Sequence, residues 1–144
     1  MNNIFVYCEI EDGIVVDVSL ELLTKGRKLA NEIGCKLEAV VIGSKLQGIE
    51  KQIFPYGVDI IHLADHDKLY PYTTLPHSEI IIRLIQQEQP QIALFGASSV
   101  GRDLAPRVAS ALRSGLTADC TSLEFGDHVE NKTGKEYKNL LYQI

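Results

Sequence analysis

Apolar and polar residues come in alternating blocks along the chain, and the blocks read in turn as strands and helices. Ile4-Phe5-Val6-Tyr7-Cys8 is an unbroken apolar run of strand length, the pattern of a strand covered on both faces. An acidic turn occupies residues 9–13, and Ile14, Val15 and Val16 form a brief strand extension or a packed loop. Ser19 is placed to cap a helix, its oxygen accepting a backbone N–H of the first turn. Leu20, Leu23, Leu29, Ala30 and Ile33 then recur at helical spacing up to Gly34, which suits the left-handed position that ends helices. Residues 37–42 predict a second buried strand closed by Gly43, residues 44–54 a short helix ending near Pro55 and Gly57, and residues 58–64 a third strand.

The second half repeats the pattern. Residues 65–74 are a polar and aromatic connection containing Pro71. Residues 76–89 predict a helix with Ile80, Ile81, Leu84 and Ile85 on one face, stopped by Pro90. Residues 92–95 predict a fourth strand, 96–101 a loop of small residues, and 102–113 a helix with Leu104, Val108, Ala111 and Leu112 inward. Pro106 is expected within about the first turn, where a missing N–H costs little. Residues 119–125 read as a fifth strand, 126–135 as a polar turn region, and 137–144 as a hairpin partner. Strands alternating with helices predict an α/β fold on a mostly parallel sheet, with right-handed crossovers placing helices on both faces in three α/β/α layers. Ligands in such sheets bind at the carboxyl ends of the strands, near the switch in strand order.

Composition narrows the function classes. At 144 residues, 45% apolar and 23% charged, the chain fits one globular domain with a substantial core. A net charge of −5 argues against a nucleic-acid or anionic-membrane partner, since both are bound through basic surface. No apolar run reaches the roughly 18–20 residues of a membrane span, and the opening Met1-Asn2-Asn3-Ile4 leads to the expectation of no signal or transit segment. Cys8, Cys35 and Cys120 are few, odd in number and far apart, so a cytoplasmic location is expected. The apolar end, with Leu140, Leu141, Tyr142 and Ile144, predicts more chain beyond it; a final strand that simply stops is the alternative.

Most catalytic motifs fail on inspection. The turn after the first strand carries Glu9, Glu11 and Asp12 where a dinucleotide site needs glycines, and three carboxylates there would repel a pyrophosphate. The residues Gly96, Ser98, Ser99, Gly101 and Arg102 have the outline of a phosphate loop before a helix N-terminus. They lack the Lys followed by Ser or Thr that holds phosphate and metal, and Asp103 has the wrong sign. Two readings of this loop stand: small residues that let loop and helix pack closely, or a retained nucleotide site. Ser98 and Ser99 do not satisfy G-x-S-x-G, and each cysteine lies in or beside an apolar segment typical of inert core thiols. His62, His66, His77 and His128 are scattered, Asp65-His66-Asp67 reads as a solvated loop, and no metal site is expected. Glu9 and Glu11 read as a polar loop and not as an acid–base pair.

One longer feature remains. Gly101-Arg102-Asp103-Leu104-Ala105-Pro106-Arg107, followed by Gly115-Leu116-Thr117-Ala118-Asp119-Cys120-Thr121, resembles the amino-terminal domain of the electron-transfer flavoprotein alpha subunit. The opening strand and the Gly57-Val58-Asp59 step also look like that family, and the resemblance spans essentially the whole chain. It implies a Rossmann-like fold of the adenine-nucleotide alpha hydrolase (HUP) type. It further implies that FAD is held by a second, C-terminal domain of the intact protein, absent from this chain, so that no cofactor residue is assigned here and no catalytic site is expected. The implied role is a rigid scaffold packing on a beta subunit in a heterodimer. The parent complex would carry electrons from flavin dehydrogenases, such as the acyl-CoA dehydrogenase of fatty-acid β-oxidation, to an acceptor. From the residues alone, Arg102 and Asp103 can cap or pair at the helix start, and Arg102, Arg107 and Arg113 are candidates for a partner surface, with ordinary solvated charge as the alternative reading. Two other classes remain open: a module binding AMP or ATP through residues 96–102, and a stress-type domain dimerising through its terminal strand.

Overall fold

In the computed structural model residues 3–112 are described throughout, together with the backbone of strands at 122–124, 128–130 and 135–137. The central sheet has five strands, β1 (Ile4–Cys8), β4 (Leu37–Gly43), β5 (Ile60–Asp65), β6 (Ile92–Leu94) and β7 (Ser122–Glu124), in the order β5-β4-β1-β6-β7. The first four pair in parallel, and β7 runs antiparallel to β6. Two small antiparallel ribbons, β2 (Ile10–Glu11) with β3 (Ile14–Val15) and β8 (His128–Glu130) with β9 (Lys135–Tyr137), stand apart from it.

Side-chain alternation along the strands creates two separate cores. From β1, Ile4, Val6 and Cys8 join Leu37, Ala39 and Val41 of β4 on one face. Helix α1 (Asp17–Ile33) covers that face, burying Ser19, Leu23, Gly26 and Ala30 at three- to four-residue spacing, and α2 (Glu50–Ile53) adds Ile53. Phe5 and Tyr7 join Val40, Ile42, Ala93 and Phe95 on the opposite face, beneath α3 (Thr74–Glu88) and α4 (Ser99–Leu112). The result is the three-layer α/β/α arrangement on a mostly parallel sheet that the alternation predicts.

The Gly57-Val58-Asp59 step has a specific structural task. Gly57 holds φ +88°, and its carbonyl accepts a hydrogen bond from Arg27 Nη1 at 2.7 Å. Asp59 accepts from the same nitrogen at 3.0 Å and from the Leu37 N–H at 2.9 Å, which ties α1 to the start of β4. The Leu37 N–H and then Arg27 hold the Asp59 carboxyl below its ordinary value.

Several boundaries differ from expectation for identifiable reasons. Helix α1 starts at Asp17, its N-cap position is Val16, and Ser19 is buried inside the first turn. The Ser19 hydroxyl accepts the Glu9 N–H at 2.8 Å, so it serves the neighbouring turn and not the helix end. The helix expected over 44–54 shrinks to α2 and a 3₁₀ turn at Phe54–Tyr56, because Lys45 and Gly48 take positive φ. Gly34, by contrast, closes α1 in the left-handed conformation as predicted, with its N–H on the Ala30 carbonyl. Helix α4 begins three residues earlier than expected, so Pro106 falls in its interior. Ala105 and Ala109 face inward there, whereas Ala111 is exposed.

Candidate functional site

The connections leaving β1 and β6 diverge to opposite faces of the sheet, since α1 lies on one side and α4 on the other. Neighbouring strands with diverging connections form the crevice in which this architecture places ligands. Two segments meet at its mouth: the turn opening at Glu9 after β1, and residues 96–98 after β6.

Ser98 organises the contact. It stands immediately before α4, and its Oγ accepts the Gly101 N–H at 3.1 Å while its carbonyl accepts the Arg102 N–H at 2.9 Å. This is the bonding of an N-cap residue. The hydroxyl has one proton to give, and it donates it to Oε1 of Glu9. A protein carboxylate is therefore held at the positive end of a fourteen-residue helix, where a phosphate would otherwise be favoured. The Glu9 backbone is fixed as well: its N–H donates to Ser19 Oγ and its carbonyl accepts the Val16 N–H at 3.1 Å.

The glycines explain how closely the loop approaches the helix. A Cβ on Gly101 would lie 1.8 Å from the Gly96 carbonyl oxygen and 2.9 Å from the Gly96 carbonyl carbon. A Cβ on Gly96 would meet Val18 at 3.2 Å and Glu9 Oε1 at 3.4 Å. The loop backbone thus leaves no room for a side chain at Gly101, and at Gly96 the Val18 and Glu9 side chains would have to give way.

Beside this contact a cleft of about 250 Å³ opens toward the α3 side, with Tyr7, Glu9, Glu11, Tyr72 and His77 in its wall. Its chemistry does not fit a nucleotide or the pyrophosphate of a flavin: among the described residues two carboxylates line it, and no lysine or arginine does. At its base Tyr7 and His77 form a buried relay. His77 Nε2–H donates to the Leu69 carbonyl at 2.9 Å, leaving Nδ1 to accept the Tyr7 hydroxyl at 2.7 Å. Burial pushes the His77 pKa down and the Tyr7 pKa far up, so both are neutral at physiological pH. A neutral histidine fixed at both nitrogens, with its hydroxyl partner fully engaged, is a structural clasp.

Arg102 and Asp103 do not cap α4, because Ser98 does. Asp103 instead accepts hydrogen bonds from the hydroxyls of Tyr72 and Thr74, each at 2.6 Å, joining α4 to the start of α3 and to the loop before it. These two donors hold its carboxyl below the ordinary value, while burial and then the Asp103 bond raise Tyr72 to about 12. Arg107 Nε lies 4.0 Å from Asp103, with 57% of its side chain exposed, and Arg102 is exposed. Five residues of helix turn Arg102 and Arg107 about 140° apart, so the two do not share a face. Arg113 and Cys120 lie outside the described residues. Cys8 is fully buried and its thiol is pushed up to about 12, and burial also raises Cys35, so neither offers a thiolate. The Asp65-His66-Asp67 segment is engaged locally: Asp65 accepts the N–H groups of Lys45 and Leu46, and His66 Nδ1 accepts that of Lys68.

The sequence reading overlooked the Glu9–Ser98 contact, the Tyr7–His77 pair and the Asp103 hub. The first had a signal: the carboxylates that disqualify a phosphate site follow a strand that the fold places next to the loop it disqualifies.

Fold and crevice together define a Rossmann-like α/β domain whose phosphate seat is closed by its own side chains. A family model described as the electron transfer flavoprotein domain matches residues 4–136, and the chain belongs to that family. Similar proteins include the acryloyl-CoA reductase electron transfer subunit beta of Anaerotignum propionicum, 40% identical over 85% of this chain and 33% of its own length. The electron transfer flavoprotein subunit alpha of Thermoanaerobacterium thermosaccharolyticum is 38% identical over 88% of this chain and 38% of its own. Protein FixB of Clostridium saccharobutylicum is 43% identical over 89% and 37% respectively. The chain thus spans about a third of the length of the curated relatives it matches. Among the described residues no helix is long and apolar enough to cross a membrane.

Proposed function

We propose that this chain is the scaffold domain of an electron-transfer flavoprotein of the alpha-subunit type, without a catalytic site of its own. The observation that carries this reading is the Glu9 carboxylate bonded to Ser98 at the head of α4, which fills the seat of a nucleotide phosphate with a negative side chain. A domain that keeps the nucleotide-binding architecture but closes its crevice is suited to rigid support. In the intact protein a C-terminal domain holds FAD, and a beta subunit packs against this domain as its heterodimer partner. Of the three arginine candidates, Arg107, exposed beside Asp103 on α4, is the one assigned to that partner surface. The parent carrier takes electrons from flavin dehydrogenases, of which acyl-CoA dehydrogenases are one class; relatives named for acryloyl-CoA reductase and for a ferredoxin-linked lactate dehydrogenase support work of this kind.

Co-expression with the companion beta subunit tests the reading. A 1:1 complex on gel filtration that is weakened by Arg107→Glu supports it. Separate elution of the two chains at micromolar concentration contradicts it.

A further inference from the structure

At the opposite end of the sheet from the crevice, Glu38 is buried in an apolar strand with only 3% of its surface exposed. It is the second residue of β4, and its neighbours Leu37 and Ala39 to Ile42 are core residues. Burying an ionised carboxylate is expensive unless charge and hydrogen bonds compensate it. Oε2 accepts from Asn3 Nδ2 at 2.7 Å, and Oε1 faces His62 Nε2 of the adjacent strand β5 at 2.5 Å. A second carboxylate, Glu88, comes down on the same spot from α3, and one ligand atom from each of Glu38, His62 and Glu88 lies within 4.8 Å of the others.

The charges here do not balance. Glu88 is the last residue of α3, where the helix end is itself partially negative, and the last turn contains no basic residue. Among the described residues no lysine or arginine pairs with Glu38 or Glu88. Two carboxylates and a helix carboxyl end therefore converge on a single imidazole, which supplies at most one positive charge.

We propose that Glu38, His62 and Glu88 form a binding site for a divalent transition-metal ion of the zinc type. One imidazole nitrogen and two carboxylate oxygens are a donor set that zinc accepts. Two full negative charges match a dication, and the fourth tetrahedral position is left to water. Bond lengths of about 2.0–2.2 Å set neighbouring ligand atoms about 3.3 Å apart. The Glu38–His62 pair must then open by less than about 1 Å, and the exposed Glu88 side chain closes the remainder. Asn3 already orients Glu38 through its second oxygen, as outer-shell partners of metal ligands do. The ion would staple the edge strand β5 and the carboxyl end of α3 to β4, at the end of the domain remote from the crevice.

Calorimetric titration of the 144-residue chain with zinc chloride, in a buffer free of chelators, tests this. We expect one ion per chain with low-micromolar or tighter affinity, and a rise in melting temperature on saturation. Glu88→Gln, an exposed change that does not lower the zinc-free melting temperature, should weaken binding at least about tenfold. His62→Gln should abolish it, and His66→Gln, at the other end of β5, should leave it unchanged. X-ray absorption of the zinc complex should show one imidazole nitrogen among oxygen ligands. No saturable binding over the micromolar range overturns the proposal. So does binding that survives Glu88→Gln and His62→Gln, or that His66→Gln removes.

Discussion

Replacing Gly101 by alanine tests the close packing of the 96–102 loop on α4, because an open helix and a crowded one predict opposite signs. In an open helix the change from glycine to alanine stabilises by about 1 kcal/mol, through helix propensity and a stiffer unfolded chain. In this structure the added Cβ would sit 1.8 Å from the carbonyl oxygen of Gly96 and 3.2 Å from its nitrogen. The obstacle is backbone, which cannot rotate away as a side-chain tip can. Overpacking of this kind costs about 1–3 kcal/mol and occasionally more. With the propensity gain set against a cost at the top of that range, the net loss is about 2 kcal/mol. For a domain of this size, that lowers the melting temperature by about 4–8 °C. Urea denaturation followed by far-ultraviolet circular dichroism gives the direct reading: the midpoint should fall with an unchanged slope. An unchanged or raised midpoint would refute the close approach of loop and helix, and with it the view that the crevice is shut by packing.

Three further outcomes follow from the side-chain network. Asp103→Asn removes the charge that holds Tyr72 and Thr74, at a cost of about 1–2 kcal/mol given its partial exposure, and ultraviolet titration should show Tyr72 ionising at lower pH than in the unaltered chain. His77 is depressed in the folded protein, so between its ordinary value near 6.5 and its folded value the unfolded chain binds more protons. Stability should therefore decline as pH falls from 7 toward 5, and His77→Gln should flatten that limb. Asp59 and Asp103 are also depressed; their contribution is present above the ordinary carboxylate range and is lost as pH falls through their folded values, which adds a second decline below about pH 4.

The layered fold was readable in the sequence because its signals are local. Ile4 to Cys8 can only be a covered strand, and Gly34 and Pro90 punctuate helices through backbone geometry alone. Ser19 misled because its oxygen suits a helix cap, and nothing local shows that the Glu9 N–H, ten residues away, competes for it. The helix expected at 44–54 failed for a related reason: Asp65 draws in the N–H groups of Lys45 and Leu46 across the sheet, fixing a turn where the sequence carried helix-like spacing. The site was half legible. Missing lysine and adverse charge in the phosphate loop can be seen in one dimension. That the adverse charge at Glu9 lands on Ser98, 89 positions later, requires the pairing of β1 with β6. Glu38 and Glu88 gave no signal at all, since one hides in an apolar run and the other ends a polar helix turn.

The account rests on Glu9 standing where a phosphate would bind, so calorimetry of the chain with AMP and with ATP tests it most directly. No heat of binding up to millimolar nucleotide is predicted, and Glu9→Gln, which removes the competing charge at the head of α4, should be the variant in which weak anion binding first emerges. Micromolar affinity of the unaltered chain for either nucleotide, lost on crowding the loop with Gly96→Val, would contradict it.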